Sequence, residues 1–204
     1  MNVETMATLF ALLTVVANIA VIAIAVIAIA DRDGFSGLKR SAWSTLGPSS
    51  LWLAFAVALT ATLGSLYLSE VAHFVPCKLC WYQRIAMYPL VPILVVAAIK
   101  RDAGVWRYAA PLVAIGSAIS IYHYQLERFP DQTSVSCTLE APCTVVWIWK
   151  FHYISIPFMA LSGFALIVAL LLVARATARP DTDTDDHPGE GATLDEHPGA
   201  TDAP

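Results

Sequence analysis

Residues 76–84, Pro-Cys-Lys-Leu-Cys-Trp-Tyr-Gln-Arg, place two of the chain's four cysteines directly before a long apolar segment. A helix that begins near Cys77 puts Cys77, Cys80 and Arg84 on one face, because they occupy positions i, i+3 and i+7. The positive end of a helix and a nearby guanidinium both favour the thiolate form of a cysteine. The stretch therefore predicts a redox centre at the surface of a membrane.

The composition is that of a membrane protein. Of the 204 residues, 57% are hydrophobic and 14% are charged, and the mean hydropathy is +0.63. Soluble domains have about 45–50% apolar and about 25% charged residues. The net charge of −4 comes from the acidic tail after Arg175. Because the body of the chain has no basic patch, no nucleic-acid partner is predicted.

Five apolar segments are predicted to cross the bilayer as helices. They are Ala7–Ala30, Leu51–Ser69, Ile85–Ile99 with a start near Trp81, Tyr108–Tyr122 and Phe151–Ala174. Pro89 and Pro92 are expected to kink the third span. The first segment lacks the basic start of a signal peptide and is too long for one, so we expect it to be retained.

Basic residues predict the orientation. Alternate connections and the start of the tail hold eight of them, namely Arg32, Lys39, Arg40, Lys100, Arg101, Arg107, Arg175 and Arg179. The opposite side holds four, namely Lys78, Arg84, Arg128 and Lys150. The richer side is predicted to be cytoplasmic, which places the N-terminus outside the cell membrane and the C-terminus inside. All four cysteines then lie outside, where disulfides persist.

A second cysteine pair, Cys137 and Cys143, lies in the longest predicted connection, between His123 and Lys150. A structural disulfide is one interpretation, but a bridge across so short a loop stabilises little. Both pairs are therefore predicted to be redox-active.

The motif Cys77-Lys-Leu-Cys80-Trp-Tyr-Gln-Arg84 resembles the CxxCxxxR signature of the disulfide bond formation protein B (DsbB) family, closest to its BdbC-like branch. The resemblance extends through Tyr122-His123-Tyr124, the second pair and the segment from Val145 to Pro157, covering roughly residues 50–174. Two features differ from the family pattern. The chain has an extra N-terminal span, where four spans are usual, and its second pair is closer together than in the enterobacterial members.

The resemblance implies a quinone-dependent protein disulfide oxidoreductase that supports disulfide formation in exported proteins. Its partner would be a DsbA-like thioredoxin-fold protein outside the membrane, and its cofactor a membrane quinone, ubiquinone or menaquinone. The soluble partner would attack Cys137, and Cys143 would resolve the mixed disulfide. Cys77 would exchange with this loop pair, and Cys80 would be the thiolate that faces the quinone.

The resemblance also implies three cofactor-binding residues, and no metal ligands are predicted. Arg84 would stabilise thiolate and reduced-quinone charge, although an arginine that only reaches the membrane interface is the alternative. Gln83 would hydrogen-bond a quinone carbonyl, or else serve helix packing. His123 would lie near the quinone, or else be an ordinary interfacial histidine.

The predicted fold class is an all-α integral membrane protein, a bundle of five transmembrane helices with a four-helix DsbB-like core and an extra N-terminal span. Residues 1–50 comprise that extra helix and a cytoplasmic loop. Residues 51–174 form the DsbB-like membrane domain with two extracytoplasmic cysteine-bearing loops. Residues 175–204 form an acidic cytoplasmic tail whose composition predicts disorder.

Three other functions fit parts of the pattern. A vitamin K epoxide reductase-like enzyme couples the same chemistry, but there the loop pair precedes the membrane CxxC motif. A metal-handling membrane protein would use Cys77, Cys80 and His73 as soft ligands, although Arg84 would repel a cation. A purely structural membrane protein with two disulfides predicts bonds that are inert to a thioredoxin-fold dithiol.

Overall fold

The structure is a computed structural model that describes residues 3–30, 43–131 and 143–178, and this part is helical apart from short connections and one isolated bridge. Its helices are α1 (Val3–Ala30), α2 (Ser50–Leu66), α3 (Lys78–Met87), α4 (Leu90–Lys100), α5 (Trp106–Arg128) and α6 (Ile156–Thr177). A π-helical turn, Tyr67–Val71, extends α2. Among the described residues, five helical stretches are long and apolar enough to cross a membrane, with α3 and α4 forming one of them. The predicted all-α, five-span fold is confirmed.

Proline divides the third span, as predicted. Pro89 has no N–H to donate to the preceding turn, so α3 ends at Met87 and α4 begins at Leu90. The Tyr88 N–H still donates to the Arg84 carbonyl at 2.8 Å, and the Val91 N–H donates to the Tyr88 carbonyl at 3.2 Å. The two halves therefore remain one continuous transmembrane unit with a bend.

The predicted span boundaries differ from the structure by at most about four residues, except for two that are wrong by more. The fourth span does not end at Tyr122, because α5 continues to Arg128 and includes His123. The last span does not begin at Phe151. Phe151 and His152 have left-handed backbone conformations, with φ of 51° and 65°, inside a turn closed by the bridge between Lys150 and Ile154. Helix α6 begins only at Ile156, with Pro157 in its first turn, where proline is favoured.

Helix α6 is the centre of the bundle, since it packs against α1, α2 and α5. The ring of Phe164 on α6 is fully buried and lies directly against the backbone of Gly116 on α5. Leu90, Leu94 and Ile167 belong to the same core. Small residues at helix contacts allow such close approach in membrane bundles.

One end of the bundle gathers the features that the sequence analysis singled out, and we call it the thiol end. Glu4 at the start of α1 forms an ion pair with Lys150. Phe74, after α2, stacks on Trp147 with ring centroids 4.8 Å apart. Cys77 precedes α3 at the same end. At the opposite end, the Arg175 guanidinium lies over the Trp106 ring at 4.3 Å.

Gly116→Ala is expected to destabilise the bundle, because an added Cβ would lie 2.3 Å from the Phe164 ring. Overpacking of this kind costs about 1–3 kcal/mol. Gly163→Ala is the matched control, since its Cβ would meet nothing closer than the Met87 methyl at 3.7 Å. Thermal unfolding in detergent should show a lower midpoint for the first variant only. Equal midpoints would contradict the packing of Phe164.

Candidate redox site

Cys77 caps the N-terminus of α3. Its backbone is extended, with φ −72° and ψ 172°, and its Sγ accepts a hydrogen bond from the Cys80 N–H at 3.4 Å. Serine, threonine, aspartate and asparagine usually satisfy the first N–H groups of a helix in this way. Here sulfur does so, and the positive helix end favours its thiolate form.

The two cysteines of the motif form a free dithiol, with their Sγ atoms 3.2 Å apart. Cys77 is 5% exposed, and Cys80 is half-buried. A hydrogen bond between two thiols at this distance lets one of them carry the negative charge while the other keeps its proton. The structure thus describes the reduced state of the pair.

His123 on α5 lies beside the pair, and its donor atom is within 4.8 Å of both sulfurs. Its Nε2 lies 3.6 Å from the Cys77 Sγ, and the side chain is only 3% exposed. The hydrogen bond from the Cys80 thiol lowers the pKa of Cys77 most; burial opposes it, and His123 lowers it further, to about 4. The reduced pair therefore carries its charge on Cys77. The sequence analysis had placed the thiolate on Cys80.

Cys80 faces a cavity of about 400 Å³ that Cys77 does not line. The lining is mostly apolar, and its polar groups include Gln83 and Arg84 beside Cys80. The cavity thus has Cys80, Gln83 and Arg84 at one end, and the rest of its lining is mostly apolar. This placement is compatible with Cys80 as the thiol nearest a cofactor, which stays a prediction.

Arg84 is held at the polar end of the cavity. Its Nη2 donates to the Ser65 carbonyl on α2 at 3.0 Å, and its guanidinium lies 5.2 Å from the centre of the Trp81 ring. A guanidinium has five N–H donors, so this single contact leaves donors to serve a ligand. The arginine is therefore anchored by the protein and directed at the cavity.

Gln83 is buried between α3 and α5. Its Nε2 donates to the Ser120 Oγ at 3.1 Å, and Ser120 in turn donates to the Gly116 carbonyl at 2.8 Å. The amide nitrogen therefore serves helix packing, as the alternative interpretation held. Because Gln83 also lines the cavity, its contact with a cofactor stays a prediction.

The second cysteine pair is represented by Cys143, which is disulfide-bonded and 1% exposed. It belongs to one small buried cluster with Cys77, Leu79 and Leu126. The cluster brings Cys143 beside the first pair: Cys77 is part of the cluster, and Cys80 packs against it. Cys137 lies outside the described residues.

A profile of the family described as Disulfide bond formation protein DsbB matches residues 48–174. The chain belongs to the DsbB family. Curated members resemble it over most of their own length. Disulfide bond formation protein C of Bacillus subtilis is 44% identical over 126 residues, which cover 61% of this chain and 91% of the relative. A probable disulfide formation protein of Deinococcus radiodurans is 47% identical over 131 residues, covering 59% of this chain and 85% of the relative. No solved structure matches the chain.

Membership of the DsbB family makes the chain a multi-pass membrane protein with the thiol–disulfide oxidoreductase chemistry of disulfide formation. The matched residues begin just before α2, so α1 is additional to the family domain. The family's domain therefore contains both cysteine pairs, Arg84 and His123.

The sequence analysis missed Ser65, Ser120 and Glu127. Glu127 lies one helical turn beyond His123 on the same face of α5, and its electrostatic neighbours include His123 and Cys77. Both His123 Nδ1 and Glu127 Oε2 are buried without a hydrogen-bond partner among the described residues. The i, i+4 spacing was visible in the sequence, but it carries meaning only once the helix is known to pass Tyr122.

The residues that could bind a soft metal ion here differ from the set of Cys77, Cys80 and His73 considered from the sequence. Donor atoms of Cys77, Cys80 and His123 all lie within 4.8 Å of one another. His73 is not in this group, and it is exposed in a left-handed turn with φ 55°. Because the same three residues form the redox site, a metal would compete with the dithiol chemistry.

We expect the reduced protein to keep a thiolate far below the usual thiol pKa of about 8.5. As the pH falls, the ultraviolet absorbance of the thiolate should persist until it nears the Cys77 pKa of about 4. Cys80→Ala should raise this midpoint most, because it removes the main lowering contact, and His123→Ala should raise it less. His152→Asn, at an exposed histidine with left-handed backbone, is the control and should leave it unchanged. Loss of the absorbance near the ordinary thiol pKa would contradict the arrangement.

Proposed function

We propose that this DsbB-family protein re-oxidises a DsbA-like thioredoxin-fold protein outside the cell membrane and delivers the electrons to a membrane quinone. One observation carries the proposal: the two thiols of the CxxC pair face different surroundings. Cys77 is part of the buried cluster that contains Cys143, and Cys80 packs against that cluster from its edge; of the two thiols only Cys80 also lines the apolar cavity beside Arg84. A pair placed in this way can receive electrons on one side and release them on the other.

The cavity fits a quinone. Its lining is mostly apolar, and its polar end offers the donors of Arg84 and the thiol of Cys80. A bound quinone supplies an acceptor for two electrons and two protons, with carbonyl oxygens that gain negative charge on reduction. Arg84 is placed to stabilise that charge, because charge-assisted hydrogen bonds are roughly twice as strong as neutral ones.

The exchange steps follow from thiolate chemistry. A thiolate of the reduced partner attacks Cys137 and displaces Cys143; the second partner thiol then closes the partner's own disulfide. The loop pair, now a dithiol, attacks the Cys77–Cys80 disulfide in the same way and recovers its own bond. This leaves the reduced CxxC pair that the structure describes, with two electrons to deliver.

His123 and Arg84 assist different members of the pair: His123 contacts Cys77, and the Arg84 charge acts on Cys80. His123 lies against Cys77 and favours its thiolate, which makes Cys77 a better leaving group when the CxxC disulfide is attacked. Arg84 lies on the Cys80 side, at the cavity. The two groups therefore act on different half-reactions.

The orientation proposed for this chemistry has the thiol end outside the cell membrane, the N-terminus outside and the C-terminus in the cytoplasm. The distribution of basic residues supports it. The ion pair between Glu4 and Lys150 also supports it, because it joins two segments that the same distribution assigns to the outer side.

Arg84→Ala is expected to slow quinone reduction roughly thirtyfold, the equivalent of about 2 kcal/mol for a hydrogen bond from a charged donor. Oxidation of the first equivalent of reduced partner should be unchanged, since Arg84 lines the cavity and is not part of the cluster that contains Cys143. Arg84→Lys should recover only part of the rate, because the lysine ammonium keeps the charge but lacks the planar set of N–H donors of the guanidinium. Stopped mixing of purified protein, reduced partner and quinone separates the two half-reactions. Equal losses in both would argue against this role of Arg84.

Cys143→Ala mixed with the oxidised partner is expected to hold a covalent adduct between Cys137 and the partner. The Cys137 thiolate breaks the partner's disulfide, and the loop thiol that would displace Cys137 from the mixed disulfide is missing. Non-reducing gels should show the adduct, and reduction should remove it. Cys80→Ala is the matched comparison: its loop pair should accept one round of electrons but fail to turn over with quinone. An adduct that forms through Cys77 and survives loss of both loop cysteines would instead make the second pair structural.

A further inference from the structure

Helix α1 lies outside the matched family domain, yet it forms one wall of the cavity beside Cys80. We propose that α1 encloses the isoprenoid tail of the quinone, so that this additional span sets the affinity and the tail-length preference of the site. The inference rests on the proposed function, because it assigns the tail of the same cofactor. It adds a binding role for residues that no family feature explains.

The cavity-lining residues of α1 form a helical stripe. They are Phe10, Leu13, Thr14, Val16, Ala17 and Ala20. Most follow the i, i+3, i+4, i+7 spacing of one helix face. The stripe covers ten residue steps, or about 15 Å at 1.5 Å per residue. The cavity therefore extends along the helix beyond the thiols, and we call it the slot.

The opposite wall has a similar extent. On α2 the lining runs from Leu53 to Ser65, and it continues on the π-helical turn with Leu68 and Ser69. The thiol end of the slot carries Cys80, Gln83 and Arg84, whereas its far end is formed by apolar side chains such as Ala20 and Leu53. A molecule with a polar head and a long hydrocarbon tail matches this division.

Specific contacts hold α1 in place against the core. The Asn18 Nδ2 donates to the Ser162 Oγ on α6 at 3.1 Å. The ring of Phe10 lies against Gly64 on α2, where an added Cβ would be 2.9 Å from it. Interhelical hydrogen bonds and close contacts at small residues are what hold membrane helices together. These contacts make α1 a fixed wall of the slot.

Small side chains keep the slot open on the α1 side. Ala17 and Ala20 line it, whereas Ile19 is 61% exposed, does not line it and faces the surroundings of the bundle. A larger residue at position 17 would therefore occupy the space of a tail without touching the thiols or Arg84. The same residue at position 19 would not enter the slot.

The test compares Ala17→Phe with Ile19→Phe in the full-length protein reconstituted in one lipid. Quinone reduction is measured with a long-tailed quinone and with a tail-less quinone of the same head group. We expect Ala17→Phe to raise the KM for the long-tailed quinone about tenfold, since discrimination by hydrophobic pockets is typically of that size or larger. The tail-less quinone should show no change with this variant. Ile19→Phe should match the unaltered protein with both quinones.

The design also controls for membrane partitioning and for misfolding, and its possible outcomes are distinct. Because both variants share one bilayer, membrane partitioning of the quinone cancels in the comparison. Ala20→Leu, a smaller change at the far end, replaces Ala17→Phe if the latter has a lowered unfolding midpoint. An unchanged KM for the long-tailed quinone, or equal changes for both quinones, would overturn the inference. If the unaltered protein reduces neither quinone, the proposed function itself fails, which is a different result.

Discussion

The contact on which the site depends is the cap that the Cys77 sulfur makes on the first turn of α3. It fixes the direction in which the chain enters the helix, and with it the side of the helix on which Cys80 emerges. It also concentrates positive potential on one sulfur, because the helix end and His123 act on Cys77 together. The hydrogen bond from the Cys80 thiol lowers the pKa of Cys77 more than the cap does. Together these contacts leave the reduced pair with one thiolate and one thiol in fixed places.

This asymmetry suits a pair that stands between two reactions. Thiol–disulfide exchange is faster when the leaving sulfur has a low pKa. Cys77, whose pKa is low, belongs to the cluster that contains Cys143. Cys80, which keeps its proton in the reduced pair, borders the cavity instead. Local contacts at one helix terminus thus place the negative charge on Cys77 and leave the proton on Cys80.

The sequence predicted the bundle well because span length, proline and charge act locally. The predicted helix ends were wrong where hydropathy alone did not indicate the local backbone structure. The residues from His123 to Arg128 have the composition of a loop, yet they continue α5, because their buried face packs beside the thiols. The start of α6 was missed because the left-handed Phe151 and His152 cannot be distinguished from helix by hydropathy. From the sequence, the apolar residues of α1 that line the cavity likewise cannot be distinguished from those that face lipid.

The cavity persists because of how membrane helices associate. Hydrocarbon surroundings provide no hydrophobic force that would press the helices together until the slot closed. Helix spacing is set instead by polar pairs that lose several kcal/mol if left unsatisfied in hydrocarbon. Three such contacts surround the slot: Arg84 with the Ser65 carbonyl, Gln83 with Ser120, and Asn18 with Ser162. Each joins a different pair of helices, so together they hold the walls at fixed distances. A site that must admit and release an apolar molecule many times is best built in this way, with polar contacts that set its width and small apolar residues that leave its interior free.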